Sequence, residues 1–429
     1  MLQNSTDNGS GLHPPESSAR RTVLYDWHCR LTDKSHIAPF AGYLMPLWYS
    51  SISGEHKSVR EAAGVFDCTH MGVLGISGLG AAQFTDLLTT NSIASLETGR
   101  ARYSFVLDSS GAVLDDIIVY RRDTEDFFLV VNAANHAKIK NWIGAVLEGE
   151  VCIDSEDSGR TASAKPQVQD LRDGDCKGNC MVEIAFQGPK SLDILSLLIR
   201  DDEARMQIAG LRPFAFTETE IAGIACLVSR TGYTGAQCGF ELFAHPEKVP
   251  RLWEAALDAG KPLGLLPCGL GSRDSLRIEA GLPLYGHELA GEYDISPFEA
   301  GYAWAVKLEK EFFVGKKAME RTSREYDMKV ARIELPGTKG IRPVRQNDSL
   351  LDEQGRCVGW VLSCARAGET QIALGYVDRA ALKKDDPVGL YYTARSSSQV
   401  RQGRRESTKK GERLERDLTG KVLDRFAKF

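Results

Sequence analysis

The stretch GAVLDDIIVYRR, residues 111–122, places two adjacent aspartates in a run of aliphatic and aromatic residues. Turn-forming residues precede the run and charged residues close it, which is the pattern of a β-strand. Because side chains alternate between the two faces of a strand, Asp115 and Asp116 should point in opposite directions, and each face is mostly apolar. An unpaired charge beside such a surface is costly. We therefore expect that both carboxylates have structural partners or that at least one has a function.

The sequence around this stretch predicts an α+β fold. Three strand-like runs between Arg102 and Asn132 are separated by short turns, which indicates an antiparallel meander rather than repeated βαβ units. Helical and strand-like segments fill residues 22–321, and short strands with turns follow over residues 322–394, as in a small β-barrel domain. The polar residues 154–180 are expected to form a surface insertion.

The composition points to neither a nucleic-acid nor a membrane partner. The 429 residues are 42% hydrophobic and 26% charged, with a net charge of only −5, which is ordinary for a globular protein. Residues 395–429 begin with eight Lys and Arg between 395 and 416, and the interleaved acidic residues favour a solvated tail over a nucleic-acid arm. The last residues, TGKVLDRFAKF, could instead dock on the protein as one or two amphipathic turns. Residues 1–21 are polar and lack an apolar segment, so we expect a disordered N-terminal tail and a cytoplasmic protein.

Most standard cofactor and metal motifs are missing from the sequence. It has no P-loop, no H-E-x-x-H pair, no G-x-S-x-G elbow and no complete dinucleotide fingerprint. Its ten cysteines are scattered, apart from Cys176 and Cys180, without the spacing of a zinc site, and they are expected to be free thiols. Asp115 and Asp116 can neither jointly hold one ion nor form a coupled acid–base pair if they point to opposite faces. We therefore predict no resident metal.

Two glycine-rich clusters are further candidates for a site. SRTGYTGAQCGFEL, residues 229–242, holds Tyr233 between glycines that allow close approach to a ligand and places Glu241 in the next strand, with an ordinary hairpin as the alternative. CGLGSRDSLRIEAGLPLYG, residues 268–286, predicts a helix that Ser272 caps, with Arg273 in its first turn. Since a cation gains nothing from a helix N-terminus, Arg273 should face an anion or a carbonyl, unless it pairs with a nearby carboxylate.

Eight segments of the chain occur in the order typical of one enzyme family. They run from about residue 22 to residue 318 and include ARYSFVLDSSGAVLDDIIVY, LVVNAANHAK, IAFQGPKS, SRTGYTGAQCGFEL and CGLGSRDSLRIEAGLPLYGHEL. With them the sequence resembles the T-protein family of the glycine cleavage system, the tetrahydrofolate-dependent aminomethyltransferases. The C-terminal part matches more loosely: IRPVR and ALGYV fit, whereas VLSCARAGETQIALGYV departs from the family pattern.

The resemblance implies a three-domain cloverleaf around a central folate channel. Its members transfer the one-carbon unit from the aminomethyl-dihydrolipoyl arm of H-protein to tetrahydrofolate, their co-substrate, without a metal, giving 5,10-methylene-tetrahydrofolate and ammonia. Matched motif by motif, Asp116 would be the catalytic carboxylate and Glu241 would bind the pterin. The other folate-site residues that the resemblance implies are Tyr233, Arg273, Tyr103, Asn132 and, from the C-terminal domain, Arg345.

Three alternatives stay open at this point. A tetrahydrofolate-dependent demethylase of a small methylated compound would share the fold and the folate-binding residues and differ in its substrate pocket. A non-enzymatic folate-binding protein of iron–sulfur assembly would carry a Lys-Gly-Cys-Tyr-x-Gly-Gln stretch, where this chain reads KLEKEFFVGKKA. A metal hydrolase built on the aspartate pair would need a His cluster that the sequence does not supply.

Overall fold

The strands of the protein form three open sheets and one closed barrel in the computed structural model, which describes residues 19–173, 176 and 178–428. The open sheets contain, in chain order, β1 Arg20–Arg21, β2 Ile37–Phe40, β3 Tyr43–Pro46, β4 Ala63–Asp67, β5 Gly72–Ser77, β6 Arg100–Leu107, β7 Val113–Asp123, β8 Asp126–Val131, β9 Gln167–Asp170, β10 Val182–Gln187, β11 Phe216–Ile221, β12 Ile224–Ser229, β13 Gly239–Ala244 and β14 Leu265–Cys268. The barrel contains β15 Met328–Pro336, β16 Ser349–Leu351, β17 Cys357–Ala367, β18 Thr370–Asp378, β19 Pro387–Tyr391 and β20 Leu418–Val422.

The helices of the described residues are short. They are α1 Tyr25–Leu31, α2 Ile52–Glu61, α3 Ala81–Leu88, α4 His136–Glu148, α5 Ser191–Leu198, α6 Asp202–Ala209, α7 Val249–Gly260, α8 Leu270–Ala280, α9 Lys316–Thr322 and α10 Ser397–Arg401. None of these helices has both the length and the apolar character needed to cross a membrane. The fold is thus α+β, as the sequence predicts, with mixed sheets before an all-β barrel.

The predicted meander forms the centre of a five-stranded sheet with the order β6-β7-β8-β5-β9. Strand β7, which contains the run 111–122, pairs antiparallel with β6 on one side and with β8 on the other. The side chains of β7 alternate as predicted: Ile117 and Val119 pack with residues of α3 and α4, while Ile118 and Tyr120 belong to a cluster on the opposite face. Asp116 shares the face of Ile118 and Tyr120.

The five-stranded sheet packs face to face against a six-stranded sheet with the order β11-β12-β13-β10-β4-β14. Tyr120 and Phe128 of the first sheet contact Phe216 and Phe243 of the second, with ring centroids 5.4–6.4 Å apart. Helices α5, α6 and α7 cover the outer face of the six-stranded sheet around the buried Trp253. Polar side chains on the inner faces are therefore enclosed between two sheets.

The C-terminal barrel is closed by a strand from the segment that the sequence assigns to a solvated tail. Strand β20 pairs with β15 and with β19 and completes the ring. Basic residues of the same segment form ion pairs, Arg404 with Asp417 and Lys410 with Asp378. The prediction of a free tail over 395–429 is therefore wrong, because the open edges of β15 and β19 need a hydrogen-bonding partner that only the distant end of the chain supplies.

Other polar segments also differ from their predictions. Within the predicted insertion 154–180, β9 pairs with β5 at the edge of the five-stranded sheet. Arg20 and Arg21 form β1 beside β3, so the predicted N-terminal tail does not reach residue 21, and its residues 1–18 lie outside the described residues. Cys176 and Cys180 form a local disulfide where free thiols are predicted.

Helix α8, which carries Arg273 to the inner face, begins three residues earlier than a cap at Ser272 predicts. It starts at Leu270 after Gly269, so Ser272 lies inside the helix rather than at its cap. The Ser272 hydroxyl contacts the Gly269 carbonyl oxygen and Glu55 Oε2, each at 2.9 Å. The predicted cap is therefore wrong, whereas Arg273 stays in the first turn as predicted.

Candidate functional site

A cavity of about 240 Å³ lies between the inner faces of the two sheets and the first turn of α8. Strands of both sheets contribute to its wall, so its shape depends on how one sheet packs against the other. The structure brings together here six of the seven residues that the sequence singles out: Tyr103, Asp116, Asn132, Tyr233, Glu241 and Arg273.

The seventh candidate, Arg345, lies elsewhere. It precedes β16 on the barrel, where the residue is exposed and its backbone N–H donates to Asp348 Oδ2 at 2.9 Å. It is not among the residues that line the cavity in the described part of the chain. The structure therefore does not support the predicted contact of Arg345 with the folate site, because the barrel presents this segment to solvent.

Asp116 accepts two hydrogen bonds at the cavity wall. Tyr103 Oη donates to Asp116 Oδ2 at 2.9 Å, and Asn132 Nδ2 donates to Asp116 Oδ1 at 2.8 Å. Tyr103 lies opposite Ile118 in the antiparallel pairing, which makes it a diagonal neighbour of Asp116 on the same face. Burial raises the pKa of Asp116, and the two hydrogen bonds lower it. The carboxylate is thus held in one orientation beside the cavity.

The neighbouring Asp115 is fully buried and bound to the turn that follows β8. Asn132 donates to it twice, from the backbone N–H at 3.0 Å and from Nδ2 at 2.8 Å, and Asn135 Nδ2 donates to the same carboxylate. Asn135 lies at the start of α4, so the carboxylate also faces a helix N-terminus. This confirms the structural partners expected for Asp115.

The prediction that strand alternation keeps the two aspartates uncoupled is wrong. The Asn132 side-chain amide donates to Asp115 Oδ1 and to Asp116 Oδ1, each at 2.8 Å, and so joins the two faces of β7. Burial raises the pKa of Asp115 to about 8, and the charge of Asp116 adds to the effect, while the amide donors act in the opposite direction. Two carboxylates this close titrate as a pair. Strand alternation determines the face on which each aspartate leaves the backbone. It does not determine whether a donor from the next loop, here Asn132, reaches both carboxylates.

We expect Asp115→Asn to remove a limb near pH 8 from the pH dependence of kcat and to leave the acidic limb in place. Burial and the charge of Asp116 raise the pKa of Asp115 to about 8, so Asp115 is still protonated where Asp116 ionises, and the second ionisation of the pair belongs to Asp115. The measurement is kcat between pH 5 and pH 9 in the assay given below. Asp126→Asn, on the same sheet at the other end of β8, is the matched control and should keep the wild-type profile. A limb near pH 8 that persists in Asp115→Asn would show that it does not arise from Asp115.

A second pair of carboxylates faces the cavity from the six-stranded sheet. Glu241 lies opposite Ala185 in the pairing of β13 with β10, so Glu183 is its diagonal neighbour, and both are buried. Burial raises the pKa of each, the charge of Glu241 raises that of Glu183 further, and Arg273 lowers both. Thr231 Oγ1 donates to Glu241 Oε2 at 2.5 Å, which fixes the Glu241 carboxylate. At this end of the cavity, two buried carboxylates therefore offer hydrogen-bond acceptors beside a single cation, Arg273.

Arg273 is the cation at this end. Its Nη1 lies 3.3 Å from Cys68 Sγ, and its guanidinium carbon lies 5.0 Å from the centre of the Tyr233 ring. The neighbouring Asp274 pairs instead with Arg277, at 2.9 Å. Arg273 forms no direct ion pair with any described residue, and its charge lowers the pKa of Glu183 and Glu241. The anion or carbonyl that the sequence predicts for it stays a prediction.

The glycines around Tyr233 lie close to Gln187 of β10. A Cβ at Gly232 would lie 2.1 Å from Gln187 Oε1, and one at Gly239 would lie 2.6 Å from Gln187 Nε2. Gln187 in turn donates to Thr231 O at 3.2 Å, and the whole loop is thereby tied to β10. Tyr233 Oη donates to Pro283 O at 2.5 Å, which holds its ring against the cavity. Both glycines are therefore required by protein packing, and since Gly232 also lines the cavity, the close approach of a ligand to this loop stays a prediction.

Several residues of the cavity escape the sequence analysis, including Glu183, Tyr285, Phe214 and Trp304. Glu183 carries the same signal as the aspartate pair, a carboxylate inside the apolar run MVEIAF. Phe214 lies in a turn and Trp304 in a short 3-10 helix, Ala303–Ala305, and only the packing of these segments brings the two rings to the site. Among the described residues, no group of three or more His, Cys, Asp or Glu is placed to hold a metal ion.

Two further cavities continue the site in different directions. The inner chamber, about 170 Å³, shares Met71, Asn132 and Tyr285 with the central cavity and extends to Phe40, His70 and His287. The outer groove, about 550 Å³, shares Tyr103, Phe214 and Trp304 with it. No described residue lines both the inner chamber and the outer groove. The central cavity therefore connects two separate approaches.

The chain is similar to known aminomethyltransferases over most of its length. Residues 24–310 match the family described as the GCVT N-terminal domain. An aminomethyltransferase of Desulfitobacterium hafniense (strain Y51) is 38% identical over 346 residues, covering 80% of this chain and 85% of that protein. One from Geobacillus kaustophilus (strain HTA426) is 37% identical over 378 residues, covering 86% and 94%. The crystal structure of glycine cleavage system aminomethyltransferase T from Bartonella henselae matches with a TM-score of 0.73 at 26% identity, covering 95% of this chain and 97% of that chain.

Proposed function

Because the chain belongs to the T-protein family of aminomethyltransferases and is thus a one-carbon transferase, we propose that it moves the aminomethyl carbon from the dihydrolipoyl arm of H-protein to tetrahydrofolate. The products are 5,10-methylene-tetrahydrofolate, ammonia and the dihydrolipoyl protein. One observation carries this assignment: a single cavity holds the Glu183–Glu241–Arg273 cluster at one end and the hydrogen-bonded Asp116 at another.

The Glu183–Glu241–Arg273 cluster suits a pterin. A pterin edge presents an amino group and ring N–H groups, which a carboxylate can accept through both oxygens. Glu241 is buried and fixed by Thr231, so it is ready to make this contact without reorganisation. The charge of Arg273 favours the ionised form of both glutamates, because it lowers the pKa of each against the effect of burial. The rings of Tyr103 and Tyr233 give the cavity flat apolar walls.

Asp116 is the residue that we assign to the transfer itself. Tetrahydrofolate supplies the nitrogens that accept the carbon. As an amine departs from that carbon, positive charge develops beside the cavity wall, and a fixed buried carboxylate stabilises it. Burial raises the pKa of Asp116 above that of an exposed aspartate, which makes the group better suited to accept and return a proton. Tyr103 and Asn132 act as positioning residues, because they hold the carboxylate in place.

The inner chamber offers the carrier arm a path to Asp116. It opens beside Asn132 and Tyr285, which also line the central cavity, and its walls include the apolar side chains of Phe40 and Met71. An aliphatic dithiol arm needs such a lining. We propose that H-protein docks over this chamber and that the reaction takes place in the cytoplasm.

The direct test is an assay with purified protein, tetrahydrofolate and aminomethylated lipoyl H-protein. Methylene-tetrahydrofolate and ammonia should form in equal amounts, and neither should form when the carrier is left out. Parallel reactions contain small methylamine or sulfonium donors in place of the carrier. Turnover with a methyl donor and none with the carrier would reject the proposal in favour of the demethylase on the same fold.

Glu241→Gln is expected to raise the Kd for 5-methyl-tetrahydrofolate by about 10–100-fold. Glutamine has almost the same size, but it replaces one acceptor oxygen by a donor group and removes the charge that the pterin N–H groups would meet. Isothermal titration calorimetry measures the change. Glu254→Gln, on the exposed side of α7, is the matched control. Equal affinities for the three proteins would remove Glu241 from the pterin site.

A further inference from the structure

We propose that Phe426, which follows the last barrel strand, is a positioning residue for the transfer reaction. Through the Tyr302 ring it holds Tyr103 in the orientation in which Tyr103 donates to Asp116. This inference rests on the proposed function, in which Asp116 acts on the transferred carbon, and adds to it a contribution from the chain beyond the barrel. That contribution depends on the anchoring of residues 423–428 and on two successive contacts between aromatic rings.

The C-terminal segment, residues 423–428, follows β20 and extends from the barrel to helix α8. The Leu423 backbone N–H donates to Arg332 O of β15 at 2.8 Å. The Ala427 backbone N–H donates at 2.9 Å to the carbonyl oxygen of Ala280, the last residue of α8. The segment therefore joins the barrel to the helix whose first turn lines the cavity.

Arg425 fixes the middle of the C-terminal segment. Its Nε donates to Ala300 O at 3.0 Å, and its Nη1 donates to Gly281 O. Gly281 and Gly301 have positive φ angles of 83° and 84°. A Cβ at Gly281 would collide with the Arg425 carbonyl oxygen, and one at Gly301 would lie 3.2 Å from the Arg425 side chain. Because both positions need glycine, the segment has a defined place beside the turn that precedes Tyr302.

The half-buried Phe426 ring contacts the Tyr302 ring edge-on. The two ring centroids are 5.2 Å apart and the ring planes lie at 88° to each other, which is a favoured geometry for an aromatic pair. Tyr302 is buried and lines the cavity, and its ring centroid lies 5.1 Å from that of Tyr103. Phe426 therefore limits where the Tyr302 ring can lie, and Tyr302 in turn limits the position of the Tyr103 ring.

Tyr103 needs this support because its hydroxyl stands at the end of a long side chain. A small rotation of the ring lengthens or bends the 2.9 Å hydrogen bond to Asp116 Oδ2, and hydrogen bonds weaken steeply with poor geometry. Phe105 and Tyr302 are buried aromatic neighbours of Tyr103, whereas Trp304 is 51% exposed. Phe105 is fixed by strand β6, but Tyr302 lies outside the helices and strands and depends on the C-terminal segment. A carboxylate held less firmly stabilises the developing positive charge less well.

The test is a double-mutant cycle on kcat, measured on the full chain with tetrahydrofolate and aminomethylated H-protein. Tyr103→Phe should lower kcat about tenfold and Phe426→Leu about three- to tenfold, because both changes weaken the same hydrogen bond. The double variant should be no slower than Tyr103→Phe alone, since Phe426 then has no hydrogen bond left to support. Phe426→Met, a second replacement without a ring, should give the same pattern, whereas Phe426→Tyr keeps the ring and should keep the wild-type kcat.

Tyr326→Leu is the matched control for lost packing. Tyr326 is a half-buried aromatic residue of the same hydrophobic cluster as Phe426, but it does not line the cavity in the described part of the chain, so kcat should stay at the wild-type value. Effects of Tyr103→Phe and Phe426→Leu that multiply in the double variant would overturn the inference and leave the proposed function in place. So would a wild-type kcat in Phe426→Leu, or an equal loss of kcat in Tyr326→Leu. If the wild type itself forms no methylene-tetrahydrofolate from the carrier, the proposed function is wrong and the inference falls with it.

Discussion

Asp116→Asn is expected to lower kcat by about 10²–10⁴-fold and to change the Kd for 5-methyl-tetrahydrofolate by less than about threefold. The substitution keeps the volume of the side chain, but it removes the negative charge of the β7 carboxylate that lines the cavity. Tyr103 and Asn132 can still contact the amide, so the local structure should survive. Since the Glu241 end of the site is untouched, ground-state binding of the folate should be nearly unchanged.

The measurement is single-turnover formation of methylene-tetrahydrofolate from the aminomethylated carrier. Asp123→Asn, at the exposed end of the same strand, is the matched control and should keep the wild-type rate. A second readout, the Kd from calorimetry, separates a chemical effect from a lost binding site. If Asp116→Asn turned over at the wild-type rate, the assignment of the catalytic carboxylate would be wrong, and Asp115 would be the next residue to examine.

Arg277→Met should destabilise the protein by about 3–5 kcal/mol. Arg277 and Glu288 form an ion pair at 2.6 Å in which the side chains are 2% and 0% exposed. Glu288 also accepts hydrogen bonds from the Leu284 backbone N–H at 3.1 Å and from Ser363 of the barrel strand β17. Removing the arginine would leave a buried carboxylate that holds the 282–288 segment and the barrel together.

Urea unfolding followed by tryptophan fluorescence measures this loss. The exposed Arg324→Met is the matched control and should change the unfolding free energy by less than about 0.5 kcal/mol. The double variant Arg277→Met with Glu288→Gln should recover part of the loss, because it no longer contains an unpaired buried charge. A fully stable single variant would contradict a structural role for this pair. Because Leu284 and Tyr285 line the cavity, the single variant should also bind folate more weakly.

Much of the candidate site follows from local features of the chain. The run 111–122 identifies a strand with a carboxylate on each face, and alternation assigns Asp116 to the face of Ile118 and Tyr120, which the structure confirms. The glycine-rich clusters locate Glu241 at the start of a strand and Arg273 in a first helical turn. These features can be recognised in the sequence because strand periodicity, turn composition and helix polarity each depend on only a few neighbouring residues.

Other features of the site and the fold depend on contacts outside the local segment. Asp115 and Asp116 are coupled because the Asn132 amide spans the end of the strand, and strand alternation says nothing about a donor from the next loop. The segment 395–429 is polar and basic, yet it supplies the strand that closes the barrel. Arg345 belongs to a motif that fits the family, and the barrel nevertheless leaves it exposed away from the cavity.

The sequence by itself determined the strand, the two-faced carboxylate pair, and the family to which they belong. Only the tertiary structure decided that the inner faces of two sheets meet and that Glu183 joins Glu241 beside Arg273. The reason is physical: periodicity tells which side chains share a face, whereas the partner of that face comes from residues more than a hundred positions away. Long-range packing determines where the charged side chains lie, and the reaction that the site can support depends on those positions.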